Sequence, residues 1–378
     1  MFDPVMLIMI SSTGILTIDL SAIQSNWKFV STALREGAEC AAVVKANAYG
    51  VGVKEVALAL YGVGCRSFFV VTLHEAVELR AILASDSALY VLGGVPSGME
   101  EKFVELNLIP VIYSLDALKQ WIAFCSEKTA ALPCALKFNT GMTRLGLDEV
   151  DYEQFELENS NNSFLNPVLL MSHLACADEH SHPLNDVQLN RFLSIAEKLK
   201  HEFPQIKLSL ANSSGTFLGE KYHFDMVRIG AALYGINPQI TNPNPLKQVF
   251  SLQLPVLQIR STKQKESVGY GATTSVEKNA RLAVVAGGYA DGIHRSLGFS
   301  PAGQVGGQRV KAVGRMSMDS FIFDISDVSG DPEYIDVINE QLTLDVLMQA
   351  NKTIGYEVLT SLGDRYQRRY IFSEVADE

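Results

Sequence analysis

Cysteine is scarce in this 378-residue sequence, and what there is does not pair. Cys40, Cys65, Cys125, Cys134 and Cys176 are odd in number and scattered, with no CxxC spacing. That argues against a disulfide framework and a zinc ribbon and makes a reducing cytoplasm the natural setting. Positive charge is also short: 31 Lys and Arg stand against 42 Asp and Glu, a formal net charge of −11. Neither nucleic acid nor an anionic membrane is expected as a partner. No apolar run is long enough to cross a bilayer. The N-terminal "MFDPVMLIMISSTG" is apolar but brief and has no positive region before it. It reads as a disordered or over-annotated leader rather than a signal peptide, with Met6 or Met9 as an alternative start. There is no internal repeat, and no low-complexity tract beyond the polar loop "ENSNNS". The glycine clusters "GGVPSG" and "AGGYADG" do not match GxGxxG, so a dinucleotide site has little support. "ADEHSH" gathers Asp178, Glu179, His180 and His182, but in a loop before a helix and without i, i+4 ligand spacing. A solvated loop is the expectation there, and no metal.

What the chain does have is a hydrophobic content of 47% with 19% charged residues. This is the make-up of a globular protein with room for one large domain and a smaller one. From residue 39, short β-branched runs alternate with amphipathic stretches such as "LHEAVELRAIL" and "DVQLNRFLSIAEKLK". Strands are expected at 41–45, 67–71, 88–92, 109–113, 134–138, 168–172, 207–211 and 226–228. Eight strands with helices between them suit a closed (β/α)8 TIM barrel better than an open doubly wound sheet. The helix "SAIQSNWKFVSTAL", with Ser21 as its expected N-cap, precedes the first of them. After about Asn244 the rhythm changes: "FSLQLPVLQIRST", "RLAVVAGGYA" and "QRVKAVGRMSMDSFIFDIS" alternate in period two between glycine-rich turns. A barrel over 1–245 followed by a mostly β C-terminal domain over 246–378 is expected.

The polar residues then fall into a pattern. The buried-looking strand in "ECAAVVKANAYGVG" runs straight into Lys45. Lys137 ends the fifth strand, with Arg144 in the loop beyond it. His173 follows the sixth strand, Asn212 and Ser213 the seventh, and Arg228 with Gly230 closes the eighth. Taken singly, each has an ordinary reading: a snorkelling lysine, a packed histidine, a surface arginine, a helix-capping serine. Together they all sit at C-terminal strand ends, the face on which barrel enzymes build their sites, and chance would place about half at the other ends.

These motifs carry a family resemblance. "VVKANAYGVG" closely resembles the pyridoxal-phosphate lysine motif of bacterial alanine racemases. "LKFNTGMTRLG", "SHLACADE", "LANSSG", "VRIGAALYG", "VGYGATT", "GYADG", "GRMSMDS" and "YEVLTSL" resemble later blocks of that family in its order, over nearly the whole chain. The resemblance implies the same barrel followed by a β domain, pyridoxal 5'-phosphate as cofactor, and a cytoplasmic enzyme supplying D-alanine for peptidoglycan. Lys45 matches the lysine that binds the cofactor as a Schiff base. Tyr49, Ser213, Gly230, Ala231 and Tyr356 match positions that hold its phosphate. Arg228 matches the arginine facing the pyridine nitrogen, with His173 behind it. Arg144 resembles the residue that binds the substrate carboxylate, and Lys137 a lysine carboxylated in many members. Tyr270 matches the second catalytic base and Met318 a substrate-contacting position. Both come from the partner subunit in this family, which implies a head-to-tail homodimer with shared sites. The departures are Val51 for the usual histidine, Asn139 for aspartate, and Ser317 for cysteine.

The chemistry explains why those residue types are needed. Racemisation takes the α-proton of an amino acid from one face and returns a proton to the other, and the cofactor supplies the electron sink. The resemblance assigns Lys45 to the D-alanine face and Tyr270 to the L-alanine face. Both groups ordinarily hold protons near pH 10 and need burial or neighbouring cations to act near neutrality. A racemase of broader specificity (serine and others), a barrel decarboxylase, a non-catalytic cofactor carrier and a Schiff-base aldolase are the competing readings.

Overall fold

The computed structural model describes residues 13–158, 164–239, 241–293, 302–351 and 353–373. The N-terminal leader, the alternative starts and most of the "ENSNNS" loop lie outside the described residues. The chain divides into two compact units, one holding 23–48 and 52–246, the other holding 13–22, 49–51 and 247–373. Both units are therefore discontinuous in sequence, where the sequence reading drew a single cut.

The chain starts with β1 (Ile15–Asp19), which runs directly into α1 (Leu20–Thr32). Asp19 Oδ1 accepts the backbone N–H of Ser21 at 2.8 Å and of Ala22 at 3.0 Å. The carboxylate, and not the expected Ser21, caps this helix; an anion is the better partner for unsatisfied N–H groups at a helix start.

The first unit is built on eight parallel strands: β2 (Glu39–Val43), β3 (Ser67–Val70), β4 (Ala88–Val91), β5 (Leu108–Ile112), β6 (Pro133–Lys137), β7 (Asn166–Met171), β8 (Lys207–Ser209) and β9 (Met226–Ile229). Their order is β8-β7-β6-β5-β4-β3-β2-β9. The remaining gap, between β8 and β9, is bridged by Asp225 N–H to Leu208 O and Arg228 N–H to Ala211 O, each 3.0 Å. The sheet thus closes nearly completely, as the expected (β/α)8 barrel does. Helices α2 (Val53–Gly62), α3 (Leu73–Arg80), α4 (Glu100–Glu105), α5 (Leu115–Lys128), α6 (Glu149–Glu158) and α7 (Leu184–Glu202) alternate with the strands, and the short α8 (Ser213–Thr216) follows β8. Side chains fill the barrel: Ala41, Phe69, Tyr90, Val111, Ala135, Leu169, Met171 and Met226 form one buried cluster. The Phe69 and Tyr90 rings, on the adjacent strands β3 and β4, stack with centroids 4.4 Å apart.

The second unit is mostly β. It contains β10 (Phe250–Ser261), β11 (Glu266–Val268), β12 (Thr274–Val276), β13 (Arg281–Ala286), β14 (Ala302–Val305), β15 (Gln308–Ala312), β16 (Ser320–Asp324), β17 (Tyr334–Ile338) and β18 (Gln367–Ile371), with short helices α9 (Leu344–Asn351) and α10 (Gly355–Ser361). The main sheet has the order β13-β16-β15-β14-β17-β10-β1-β18. β1 pairs antiparallel with β10 and parallel with β18, so the first strand of the chain is completed by the last. β11 and β12 form a separate hairpin. Among the described residues, no helix is long and apolar enough to cross a membrane.

Candidate active site

The backbone after β2 is the least ordinary part of the barrel. Val44 N–H still bonds Phe69 O at 3.0 Å. Lys45 follows, and then Ala46, Asn47, Ala48 and Tyr49 all hold φ between +52° and +57°. A left-handed turn costs about 1–2 kcal/mol for each residue bearing a Cβ, with asparagine the most tolerant. Hydrogen bonds hold it: Ala48 N–H to Val44 O (2.9 Å), Gly52 N–H to Asn47 O (3.0 Å) and Val53 N–H to Asn47 Oδ1 (2.8 Å). The Glu75 carboxylate accepts Ala46 N–H at 2.6 Å. The strand end therefore stops abruptly and leaves Lys45 at a fixed point on the C-terminal face of the barrel.

Lys45, Lys137, Arg144 and Arg228 share one electrostatic neighbourhood around His173. Burial lowers the affinity of Lys45 for its proton, Arg144 lowers it further, and Glu75 opposes both. Lys137 is 7% exposed and is pushed down to about 8, first by burial and then by Arg228, Arg144 and Lys45. His173 is held well below the ordinary imidazole value by burial and by the same four cations, so it is neutral at pH 7. Among the described residues, Glu75 is the one carboxylate that enters this field. Four converging cations with so little compensation form a site for anions.

Arg228, buried on β9, shows how the site assigns its donors. Its Nη1 bonds Ser209 O at 2.9 Å and Ser209 Oγ; its Nη2 reaches Ser172 O, Leu210 O and, at 3.5 Å, His173 Nδ1. Burial lowers its proton affinity, yet a guanidinium stays protonated at neutrality and only donates. His173 Nδ1 must then be the acceptor, which leaves its proton on Nε2. The Arg228 Nε–H is the guanidinium donor with no partner among the described residues.

Ser213 was expected either to cap a helix or to face an anion. The cap is Asn212, whose Oδ1 accepts Gly215 N–H at 2.8 Å. Ser213 Oγ accepts Gly230 N–H at 3.0 Å and Ala232 N–H at 3.1 Å. A serine oxygen has two acceptor sites and one proton. With both acceptor sites filled, its remaining hydrogen bond has to be a donated one. The adjoining short turn Ala231–Tyr234 begins at the same place.

The loop bearing Arg144 is shaped by Asn139. Its Oδ1 accepts Gly141 N–H at 3.1 Å and Thr143 N–H at 3.0 Å, the role an aspartate oxygen would play, so the departure from the family residue is conservative in geometry. The Arg144 side chain is exposed and makes no hydrogen bond or ion pair among the described residues. Two supporting residues escaped the sequence reading. Gln188, fully buried on α7, donates to His173 O (2.9 Å) and Thr140 Oγ1 (3.2 Å) and accepts Ala175 N–H (2.8 Å), pinning the loop after β7. Glu75 sits in a Thr-x-x-Glu capping box, a signal the sequence does carry.

In the second unit, Tyr49 packs on Tyr356 with ring centroids 5.9 Å apart, and burial raises its phenol above the usual value. Gly50 has φ +89°, and a Cβ there would meet Leu359 O at 2.5 Å. Arg368 and Tyr370 hold the carbonyls of Gly50 and Val51 at 3.1 and 3.0 Å. Val51 is fully buried, so the substitution in the lysine motif falls on a packing position. Tyr270 lies at the tip of the β11–β12 hairpin and is 68% exposed; Met318 is 52% exposed. The Met318 loop is backed by Gly288, where a Cβ would lie 2.3 Å from Met318 O. Arg365 ties this region together by bonding both the buried Asp291 and Asp319.

A parallel barrel with clustered cations and forced donors at its C-terminal strand ends is the layout of an enzyme acting on a small anionic molecule. Residues 18–238 match the alanine racemase N-terminal domain and residues 249–370 the alanine racemase C-terminal domain. An alanine racemase of Rhodospirillum rubrum is 43% identical over 366 residues, covering 95% of this chain and 96% of that protein. A catabolic alanine racemase of Mesorhizobium japonicum is 41% identical over 363 residues, covering 95% and 93%. The crystal structure of alanine racemase from Bartonella henselae with covalently bound pyridoxal phosphate superposes with a TM-score of 0.89 at 36% identity, over 95% of this chain and 100% of that one. The chain belongs to the alanine racemase family. Because both domains match, the barrel-only cofactor carrier is not favoured.

Proposed function

We propose that the chain interconverts L-alanine and D-alanine by two-base proton transfer, an isomerase activity that uses pyridoxal 5'-phosphate. The observation that carries this reading to named residues is the convergence of Lys45, Lys137, Arg144 and Arg228 around a neutral His173. The donor set suits the cofactor. The cation field favours a phosphate, a phenolate and a carboxylate; the Ser213 hydroxyl must donate, and Arg228 Nε–H requires an acceptor such as an unprotonated pyridine nitrogen. When bound, the cofactor supplies the electron sink that acidifies the α-proton.

The chain's own residues do the rest. Lys45 would hold the cofactor, and its amine would move a proton on one face of the α-carbon; its lowered proton affinity fits it to act as a base. The Tyr270 hydroxyl moves the proton on the other face. Arg144, in the loop shaped by Asn139, binds the substrate carboxylate. Ser213 and Ala231 would hold the phosphate, Gly230 acting through the N–H that fills an acceptor site of Ser213 Oγ and so turns its hydroxyl outward; Tyr49 and Tyr356 are assigned to the phosphate by the family resemblance alone. Arg228, with His173 behind it, would donate its Nε–H to the ring nitrogen, which would favour the unprotonated ring and limit side reactions. Lys137 is the candidate for carboxylation: a lysine titrating near 8 offers the neutral amine that adds CO2 and releases a proton, giving an anionic partner for Arg144.

Tyr270 and Met318 are large, exposed and held on tight turns, which suits delivery into the site of a second copy. The reading is a head-to-tail homodimer with shared sites. Mixing Lys45→Ala with Tyr270→Ala chains under exchange tests it: heterodimers regain one intact site, restoring about a quarter of wild-type turnover. No restoration contradicts shared sites. The natural role proposed is cytoplasmic supply of D-alanine for peptidoglycan. A deletion strain that needs D-alanine to grow supports it, whereas one that merely fails to use alanine as a carbon source supports a catabolic role.

A further inference from the structure

The residue that holds the left-handed turn has no assigned role. A glutamate at the third position of a capping box ordinarily satisfies the N–H of its own helix cap. Glu75 does this and more. Its Oε2 accepts Val71 N–H at 2.8 Å and Thr72 N–H at 2.9 Å, while Thr72 Oγ1 accepts Glu75 N–H at 3.2 Å. Its Oε1 crosses to the end of the neighbouring strand and accepts Ala46 N–H at 2.6 Å. Ala46 is the first residue of the left-handed run and directly follows Lys45. A run of four residues with a Cβ in this region persists only where the surroundings over-determine it. At the start of the run, the side chain that takes the Ala46 N–H is one half-buried carboxylate bridging two strand ends.

We propose that Glu75 is a positioning residue for Lys45: its carboxylate clamps the start of the left-handed turn to the end of β3 and so fixes where the lysine amine meets the cofactor. The proposal rests on the reading of Lys45 as the cofactor lysine. A glutamine at 75 distinguishes clamping from helix capping, because an amide has one accepting oxygen where the carboxylate has two. Val71 and Thr72 present two N–H groups against one from Ala46, so the amide oxygen turns toward the cap and its NH2 faces the Ala46 donor. Glu75→Gln thus keeps α3 and releases the turn. Glu75→Asp, one methylene shorter, keeps the cap and falls short of Ala46.

The test compares both variants with wild type in two measurements. In cofactor-free protein, amide hydrogen exchange in peptides covering 44–50 should speed up by about tenfold or more, the range for losing a bond to a charged acceptor, with α3 peptides unchanged. In loaded protein, release of pyridoxal phosphate should speed up and kcat should fall more than KM rises. Unchanged exchange at 44–50 in both variants overturns the proposal, as does faster exchange with unaltered cofactor release and kcat. Because the exchange experiment needs no cofactor, its outcome is independent of the role of Lys45, which the Lys45→Ala activity assay tests separately.

Discussion

Ser213→Ala isolates one atom of the proposed anion site. Ser213 is 4% exposed, and its oxygen is the acceptor for Gly230 and Ala232 N–H. Truncation has two separable effects. It strands two buried donors at about 1–3 kcal/mol each, less whatever an admitted water recovers, so the cofactor-free protein should unfold at lower denaturant. It also removes the O–H that the filled acceptor sites force toward the phosphate. A hydrogen bond to a charged acceptor contributes about 1.5–3 kcal/mol, so affinity for pyridoxal phosphate should fall roughly ten- to a hundredfold. Titration of cofactor-free protein, followed by absorbance, measures this against pyridoxal, which lacks the phosphate. The variant should lose affinity for pyridoxal phosphate and little for pyridoxal. Equal loss for both, or no loss for either, would refute the argument that Ser213 donates to the phosphate.

Two further outcomes follow from the cation cluster. Lys137, lowered to about 8, is roughly half neutral at pH 8, where an ordinary lysine is under about 1% neutral. Folded-state proton affinity is depressed, so the stability penalty of this lysine is fully present below pH 8 and fades as pH rises toward its unfolded value. Carboxylation should therefore rise steeply between pH 7 and 9 in 13C-bicarbonate, read as a labelled lysine carbamate by NMR; no labelled carbamate at pH 9 contradicts the assignment. Arg228→Glu should retain cofactor and increase transamination, measured as pyruvate and pyridoxamine phosphate formed from alanine; unchanged transamination removes the proposed role of the arginine.

Much of the barrel was legible in the sequence because most of its strands are short apolar runs, several with β-branched residues, and the helices between them show three- and four-residue spacing. The clustering of Lys45, Lys137, Arg144, His173 and Arg228 followed from a simple rule, that C-terminal strand ends of a barrel face one way. Other features left no such trace. β1 was missed because five residues pass into α1 with no turn residue between them, and its partners lie more than 200 residues away in β10 and β18. The left-handed turn was hidden because Ala46, Asn47, Ala48 and Tyr49 contain no glycine, the residue that usually marks such backbone. Gln188 looked like a polar position on an amphipathic helix, and only the fold shows it fully buried behind His173. Asp19 displaced Ser21 as a cap because it directly precedes the first helical residue, Leu20, whereas Ser21 lies inside the helix and its own N–H is one of those the carboxylate accepts.

The central claim is that Lys45 is the residue on which alanine racemisation depends. Purified protein loaded with pyridoxal phosphate is incubated with L-alanine and D-alanine is read by an enantiospecific assay, with Lys45→Ala alongside. The expected result is D-alanine from wild type approaching equimolar mixture and none above background from the variant. Undiminished D-alanine formation by Lys45→Ala would contradict it.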